Sequence, residues 1–427
     1  MCTFADRCNS DDGRSAVYHS LSRCSVPCVV VHWPPEWCGY EQHQIQHAHG
    51  PGLKAGVTKS ANRYLAPVLQ LQNIALTQFK NYSHQHLRFT QPIIAFTGAN
   101  GVGKTNLLDA IHYLCFTKSY FTGVDSNNVQ HGSAGFRIEG VFDKNGEAYK
   151  TCIILRENGK KEITCNEVPY EKFSQHIGLF PCVMIAPDDA ELITAGSEGR
   201  RKFLDTLLSQ INADYLQQLI VYNKVLQQRN SYLKQYAQTQ TRNNSLLEVL
   251  DEQLTQAGKF IYQTRNSFLP LFQQKVLQFY KQIAGKEEAV GITYESQLHH
   301  AAFADLLKQS AERDYLLQRT NYGVHKDDLV LTLNEEAFKS TASQGQRKSL
   351  LFSLKLAEAE TINEQKGFYP LLLLDDVFEK LDTQRMHNLL DYVCSQNAQV
   401  FITDPNEERV RKVFEKLRKE IQVYSFT

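Results

Sequence analysis

Residues Gly98-Ala-Asn-Gly-Val-Gly-Lys-Thr105 form a glycine-rich loop that follows an apolar run, Ile93–Phe96. The loop opens a stretch with Leu107, Leu108, Ile111, Leu114 and Cys115 at helical spacing. Strand, loop and helix in this order point to an α/β fold and to a phosphate-binding function. Glycine permits backbone turns that other residues resist, so the N–H groups of Gly98, Ala99, Asn100, Gly101, Val102 and Gly103 can approach phosphate oxygens at the positive end of a helix. Lys104 is placed to reach β- and γ-phosphates, and the Thr105 hydroxyl to ligate Mg²⁺. A plain glycine turn that happens to contain Lys-Thr is the alternative, and the flanking strand and helix argue against it. The expected ligands are a nucleoside triphosphate and Mg²⁺.

Far downstream, Tyr369-Pro-Leu-Leu-Leu-Leu-Asp-Asp376 reads as a buried strand ending in two carboxylates. A buried parallel strand delivers its last carboxylate to the sheet edge where ligands sit. Asp375 is expected to hold Mg²⁺ through its water shell, and Asp376 to orient or deprotonate an attacking water. Leu381-Asp382 follows at the spacing of a subunit-contact loop. Between the two halves, Ser343-Gln-Gly-Gln-Arg-Lys-Ser349 leads into an apolar helical pattern. Ser343, Gln344 and Gly345 there offer a hydroxyl and free N–H groups at a helix start. Alone this could be an ordinary helix cap. With the first loop already cradling the phosphates, it can instead cap a γ-phosphate held by a second copy of the chain.

The 427 residues allow two or three domains or lobes, and Lys plus Arg equals Asp plus Glu at 46 each, so any polyanion surface must be local. No long apolar run predicts a membrane span. Cys115, Cys152, Cys182 and Cys394 sit among apolar neighbours and read as core residues of a reducing, cytoplasmic compartment. Residues 1–66 carry Cys2, Cys8, Cys24, Cys28 and Cys38 without sustained periodicity. That leader is expected to be disordered or to lie upstream of the true start, and Cys24, Cys28 and His32 match no common zinc spacing. A first lobe half over 67–197 is expected to contain hairpins at Asn145-Gly146 and Asn158-Gly159. A helical lobe over 198–300 follows, with two antiparallel helices and further ones around Phe268–Ile283, and then a second half over 301–427.

This ordered set resembles the ABC-type ATPases of DNA repair, most closely the RecF family of recombination mediators. The motifs that carry the resemblance are Phe79-Lys-Asn-Tyr82, the Gly98–Thr105 loop, Pro187-Asp-Asp189, Arg200-Arg-Lys-Phe-Leu-Asp205, Gly323-Val-His-Lys-Asp-Asp-Leu329, Ser343-Gln-Gly-Gln346 and Leu374-Asp-Asp-Val377. Lys80 and Lys326 stand where that family often has Arg. The resemblance implies an ABC-ATPase head, with mixed and antiparallel sheets around the loop and an inserted helical lobe. It also implies ATP as the nucleotide, a head-to-tail ATP-dependent homodimer, and DNA binding at single-strand gaps. RecR, RecO and RecA would be the partners, with slow hydrolysis for release.

A transporter-type ATPase would carry a switch histidine near Val400–Asp404 and a different signature. A chromosome-structure ATPase would need a far longer coiled coil between Thr105 and Ser343. Arg200, Arg201 and Lys202 are candidate DNA phosphate contacts. A second cluster, Arg409, Arg411, Lys412, Lys416, Arg418 and Lys419, is interleaved with glutamates and reads better as a solvated helix face. His325 is left between a nucleotide contact and a structural histidine.

Overall fold

The computed structural model describes residues 68–239, 244–380 and 383–427. The expectations for the leader, the zinc ligands within it and Leu381-Asp382 lie outside the described residues. The described chain begins with strands β1 (Leu69–Phe79), β2 (Tyr82–Arg88) and β3 (Ile93–Gly98), then helix α1 (Lys104–Phe116). Strands β4 (Phe136–Lys144), β5 (Glu147–Leu155), β6 (Lys161–Cys165), β7 (Val168–Pro169) and β8 (Cys182–Ile185) follow. Helices α2 (Ser197–Ile211), α3 (Ala213–Thr239) and α4 (Asn244–Ala284) come next. After them come β9 (Val290–Glu295), α5 (Phe303–Leu317), β10 (Asp328–Leu333), β11 (Glu336–Ala337) and α6 (Gln344–Lys366). The chain closes through β12 (Leu371–Leu374), α7 (Thr383–Ser395), β13 (Val400–Asp404), α8 (Glu407–Lys416) and β14 (Gln422–Phe426).

A parallel sheet in the order β14-β3-β13-β12-β8 is the centre of the molecule. Its strands β3, β13, β12 and β8 are almost wholly apolar because both faces are covered, and alternate side chains enter different cores. Ile94, Phe96, Leu371, Leu373 and Phe401 pack with α1 and the antiparallel sheet β2-β1-β4-β5-β6-β7. Ile93, Ala95, Leu372, Leu374, Val400 and Ile402 pack with the helices α2, α4 and α6. The result is a sheet between an antiparallel sheet and a helical layer, with all five parallel strands delivering their carboxyl ends to one edge.

The region expected to hold separate helices around Phe268–Ile283 is part of α4, a single helix of 41 residues with Pro270 inside it. Proline costs a helix one backbone hydrogen bond. Leu254, Ala257, Ile261, Leu269, Phe272, Val276 and Ile283 nevertheless keep one continuous buried stripe, and burial of that stripe outweighs the lost bond. Val290–Glu295, counted with the helices from sequence, is a strand that pairs with β10. Cys115, Cys182 and Cys394 are buried as expected, whereas Cys152 is only half-buried.

Candidate functional site

Strand β3 ends at Gly98, whose φ is +140°, and a Cβ there would collide with the Phe426 carbonyl of the neighbouring strand β14. Only glycine fits a positive φ against a paired strand. Gly103, at φ +109°, starts α1 against the Asn81 side chain. The loop is held from outside by the β1–β2 turn. Asn81 Nδ2 donates to the Val102 carbonyl at 3.0 Å, and the Tyr82 hydroxyl donates to the Gly103 carbonyl at 3.0 Å. Asn106 Nδ2 donates in turn to Asn81 Oδ1 at 2.8 Å, and Lys80 pairs with buried Asp109 of α1 at 2.5 Å. The opening motif Phe79–Tyr82 therefore acts as a brace for the phosphate loop. That role could be found in the sequence only through the resemblance, since neither spacing nor periodicity announces it.

Lys104 is 5% exposed and folds back under the loop, donating to the Gly98 and Ala99 carbonyls at 2.8 and 2.9 Å. Thr105 Oγ1 donates to the Asp375 carboxylate at 2.9 and 3.1 Å, across 270 positions of sequence. The parallel sheet explains this contact, because β3 and β12 end at the same edge with β13 between them. Strand β13 contributes a residue that sequence reasoning missed. Thr403, fully buried, donates to Asp375 Oδ1 at 2.7 Å and accepts from the Asp376 backbone N–H at 2.9 Å. Its signal was present in the apolar run Val400–Ile402 ending in two polar residues, the same pattern that singled out Asp375.

Burial raises the Asp375 carboxyl above its ordinary value. Hydrogen bonds from Thr403 and Thr105 lower it, the Asp376 charge adds to the rise, and Lys104 opposes it. Asp376 is half-buried with a left-handed φ of +48°, a strained backbone for a non-glycine residue. One edge thus brings together the loop Gly98–Thr105, a buried lysine, a Thr–Asp pair and a second carboxylate.

Ser343, Gln344 and Gly345 stand at the start of α6, and their hydrogen bonds run locally. Ser343 Oγ accepts from the Gln346 N–H at 3.2 Å, and Gln346 Oε1 accepts from the Ser343 N–H at 2.7 Å, closing a capping box. Ser343 and Gln344 are exposed. Gly345 has a reason sequence did not reveal: the Arg385 guanidinium lies where a side chain would begin.

Several candidates serve the fold. Arg200 makes a bidentate pair with Asp328 at 2.7 and 2.9 Å, and Arg201 donates to the Asp327 carbonyl at 2.8 Å. Their guanidinium groups lock α2 to the Gly323–Leu329 motif. Lys202 stays exposed. His325 is structural: Tyr222 sits 2.7 Å from Nδ1 and the Thr320 carbonyl 3.2 Å from Nε2, while burial pushes its pKa down to about 4. On α8, Arg409 pairs with Asp404, Arg411 with Glu407 and Lys412 with Glu408, the solvated and braced face that the charge pattern predicts.

The family model described as "RecF/RecN/SMC N terminal domain" matches residues 70–425. The chain is 39% identical over 358 residues to the DNA replication and repair protein RecF of Flavobacterium johnsoniae, covering 84% of this chain and 100% of that protein. It is 39% identical over 361 residues to the RecF protein of Cytophaga hutchinsonii, covering 83% and 94%. A solved structure of the recombination mediator protein RecF-ATP superimposes with a TM-score of 0.75 at 29% identity, over 81% of this chain and 94% of that one. The RecF-ATPrS structure gives 0.73 at 30% identity, over 80% and 94%. With a braced phosphate loop, a Thr–Asp pair at the adjoining strand end and this identity along nearly the whole described chain, the protein belongs to the RecF family.

Proposed function

We propose that this chain is an ATP-gated DNA clamp of recombinational repair. The observation that carries the reading is the Thr105–Asp375 contact at 2.9 Å beside buried Lys104. A hydroxyl and a carboxylate in mutual contact are the hard oxygen donors that Mg²⁺ takes when substrate phosphates complete its shell. Thr105 and Asp375 would hold that ion, which when bound neutralises phosphate charge. Lys104 exchanges the Gly98 and Ala99 carbonyls for terminal phosphate oxygens, a swap of neutral acceptors for anionic ones. Asp376 is placed to orient the attacking water and accept its proton.

The exposed Ser343 helix start supplies the second half of the site to a partner copy. ATP therefore closes a head-to-tail homodimer on DNA at single-strand gaps, in the cytoplasm. With RecR and RecO the closed dimer promotes RecA loading, and slow hydrolysis reopens it. Light scattering with ATP, combined with retention of a gapped duplex, tests the reading. The wild-type chain should double in mass and retain the duplex only with ATP. A mass and a DNA affinity indifferent to ATP would contradict it.

A further inference from the structure

One groove on this electrically balanced chain gathers positive charge. It has a volume of about 590 Å³ and runs between the end of α1 and the helices α2 and α3, with Lys118, Arg201 and Lys202 in its wall beside the neutral His325. Lys326, next to His325, and Arg319 extend the band, and Lys118, Lys202, Lys326 and Arg319 are all exposed. Among the described residues, Lys118, Lys202 and Lys326 make no salt bridge to a carboxylate. Of the acidic residues in the wall, Asp205 is already held by Arg265 at 2.8 Å, which leaves Glu198 as the opposing charge. Burial and then the Lys202 and Lys161 charges hold the Lys118 ammonium below its ordinary pKa. Lys326 is lowered by burial, Arg319 and Arg201. After burial, the charges that act on Lys118 and Lys326 are those of other cations, a local positive potential that a polyanion would offset.

We propose that this groove is the track for the DNA phosphate backbone, with Lys118, Lys202 and Lys326 contacting phosphates directly. The proposal rests on the clamp reading and adds to it the surface that the clamp closes over. Arg201 has a separate role, since its bond to the Asp327 carbonyl at 2.8 Å fixes the groove wall. The track lies against α2, α3 and the end of α1. Groove and phosphate loop share one helix, since α1 carries Lys104 at its start and leads into Lys118 just past its end.

The test uses the full chain with ATP and a fluorescent gapped duplex, with anisotropy read across a salt series. Lys118→Glu, Lys202→Glu and Lys326→Glu should each weaken binding roughly tenfold, and each should lower the slope of log affinity against log salt by about one. The triple variant should lose ATP-dependent retention while still binding a fluorescent ATP analogue and melting at the wild-type temperature. Lys412→Glu, on the paired face of α8, should change neither affinity nor slope. Wild-type affinity and slope in the triple variant would overturn the track. Loss of analogue binding by the wild-type chain would instead strike the nucleotide reading, so the two failures are separable.

Discussion

On the proposed reading, Lys104 and Asp376 divide the work of the site at the level of single side chains. Lys104→Ala removes the only cation that the loop itself supplies, and ATP binding should weaken roughly 100-fold by equilibrium titration. An affinity within a factor of three of wild type would remove Lys104 from the site. Asp376→Asn keeps the size and removes the carboxylate, so ATP binding should persist while turnover falls about 10²–10⁴-fold. Duplex retention with ATP should then be prolonged rather than lost. His325 gives a pH prediction of its own. Burial first, then the Lys326 and Arg201 charges, depress its pKa to about 4, whereas the Thr320 carbonyl and Asp314 oppose them. A depressed value stabilises the fold above the ordinary range and loses that contribution as pH falls through the folded value. Between pH 7 and 5 the loss is about 2 kcal/mol. Buried Glu358, pushed up to about 7 by desolvation, acts in the opposite sense over the same window, because it favours the fold as it becomes protonated. The comparison of His325→Gln with wild type in urea unfolding isolates the histidine. The variant should lose about 2 kcal/mol less than wild type on acidification, and parallel losses would refute the assignment.

At the level of elements, two buried arginines tie the helices together. Arg265 of α4 holds Asp205 and Asp327 at 2.8 Å each, the Val324 carbonyl at 2.9 Å and the Tyr215 hydroxyl at 3.0 Å. One side chain thereby joins α2, α3, α4 and the Gly323–Leu329 motif. Removing one member of such a buried network leaves charges uncompensated, so Arg265→Ala should cost roughly 3–5 kcal/mol in urea unfolding. A cost below 1 kcal/mol would contradict the network's structural role. Arg229 does the same between α3, Asp251 of α4 and Asp314 of α5.

What could be read from sequence follows from how local its cause is. The phosphate loop, the Asp375 strand and the Ser343 cap depend on neighbours within a few residues and were readable from glycine placement, apolar runs and capping chemistry. Thr403 carries a local signal, an apolar strand ending in polar residues, but its partners Asp375 and Asp376 come within reach only once β13 lies beside β12. Arg200 and Arg201 read from sequence as candidate phosphate contacts, and His325 as either a nucleotide contact or a structural histidine, because a sequence shows a charge or an imidazole but not the Asp328, Asp327 or Tyr222 waiting across the fold. The undivided α4 was missed for a related reason. Pro270 signals a break locally, and the packing that overrides it comes from distant α6.

At the scale of the whole molecule, the proposed reading divides the site into two half-sites on one chain. The phosphate loop, Asp375 and Asp376 share the carboxyl edge of the parallel sheet, while Ser343 opens α6 with its own bonds turned inward and its outer face exposed. On the proposed reading, a complete site requires a second copy. Ser343→Arg should leave nucleotide binding by a single chain close to normal while blocking ATP-induced dimerisation, because the side chain fills the space a facing phosphate must enter. The most direct measurement mixes Ser343→Arg with Lys104→Ala and follows ATP turnover. Each variant retains the half that the other lacks, so a mixed dimer assembles one intact site, and the mixture should hydrolyse ATP when neither variant alone does. A mixture as inactive as its components, with both variants shown to be folded, would contradict a site shared between two copies.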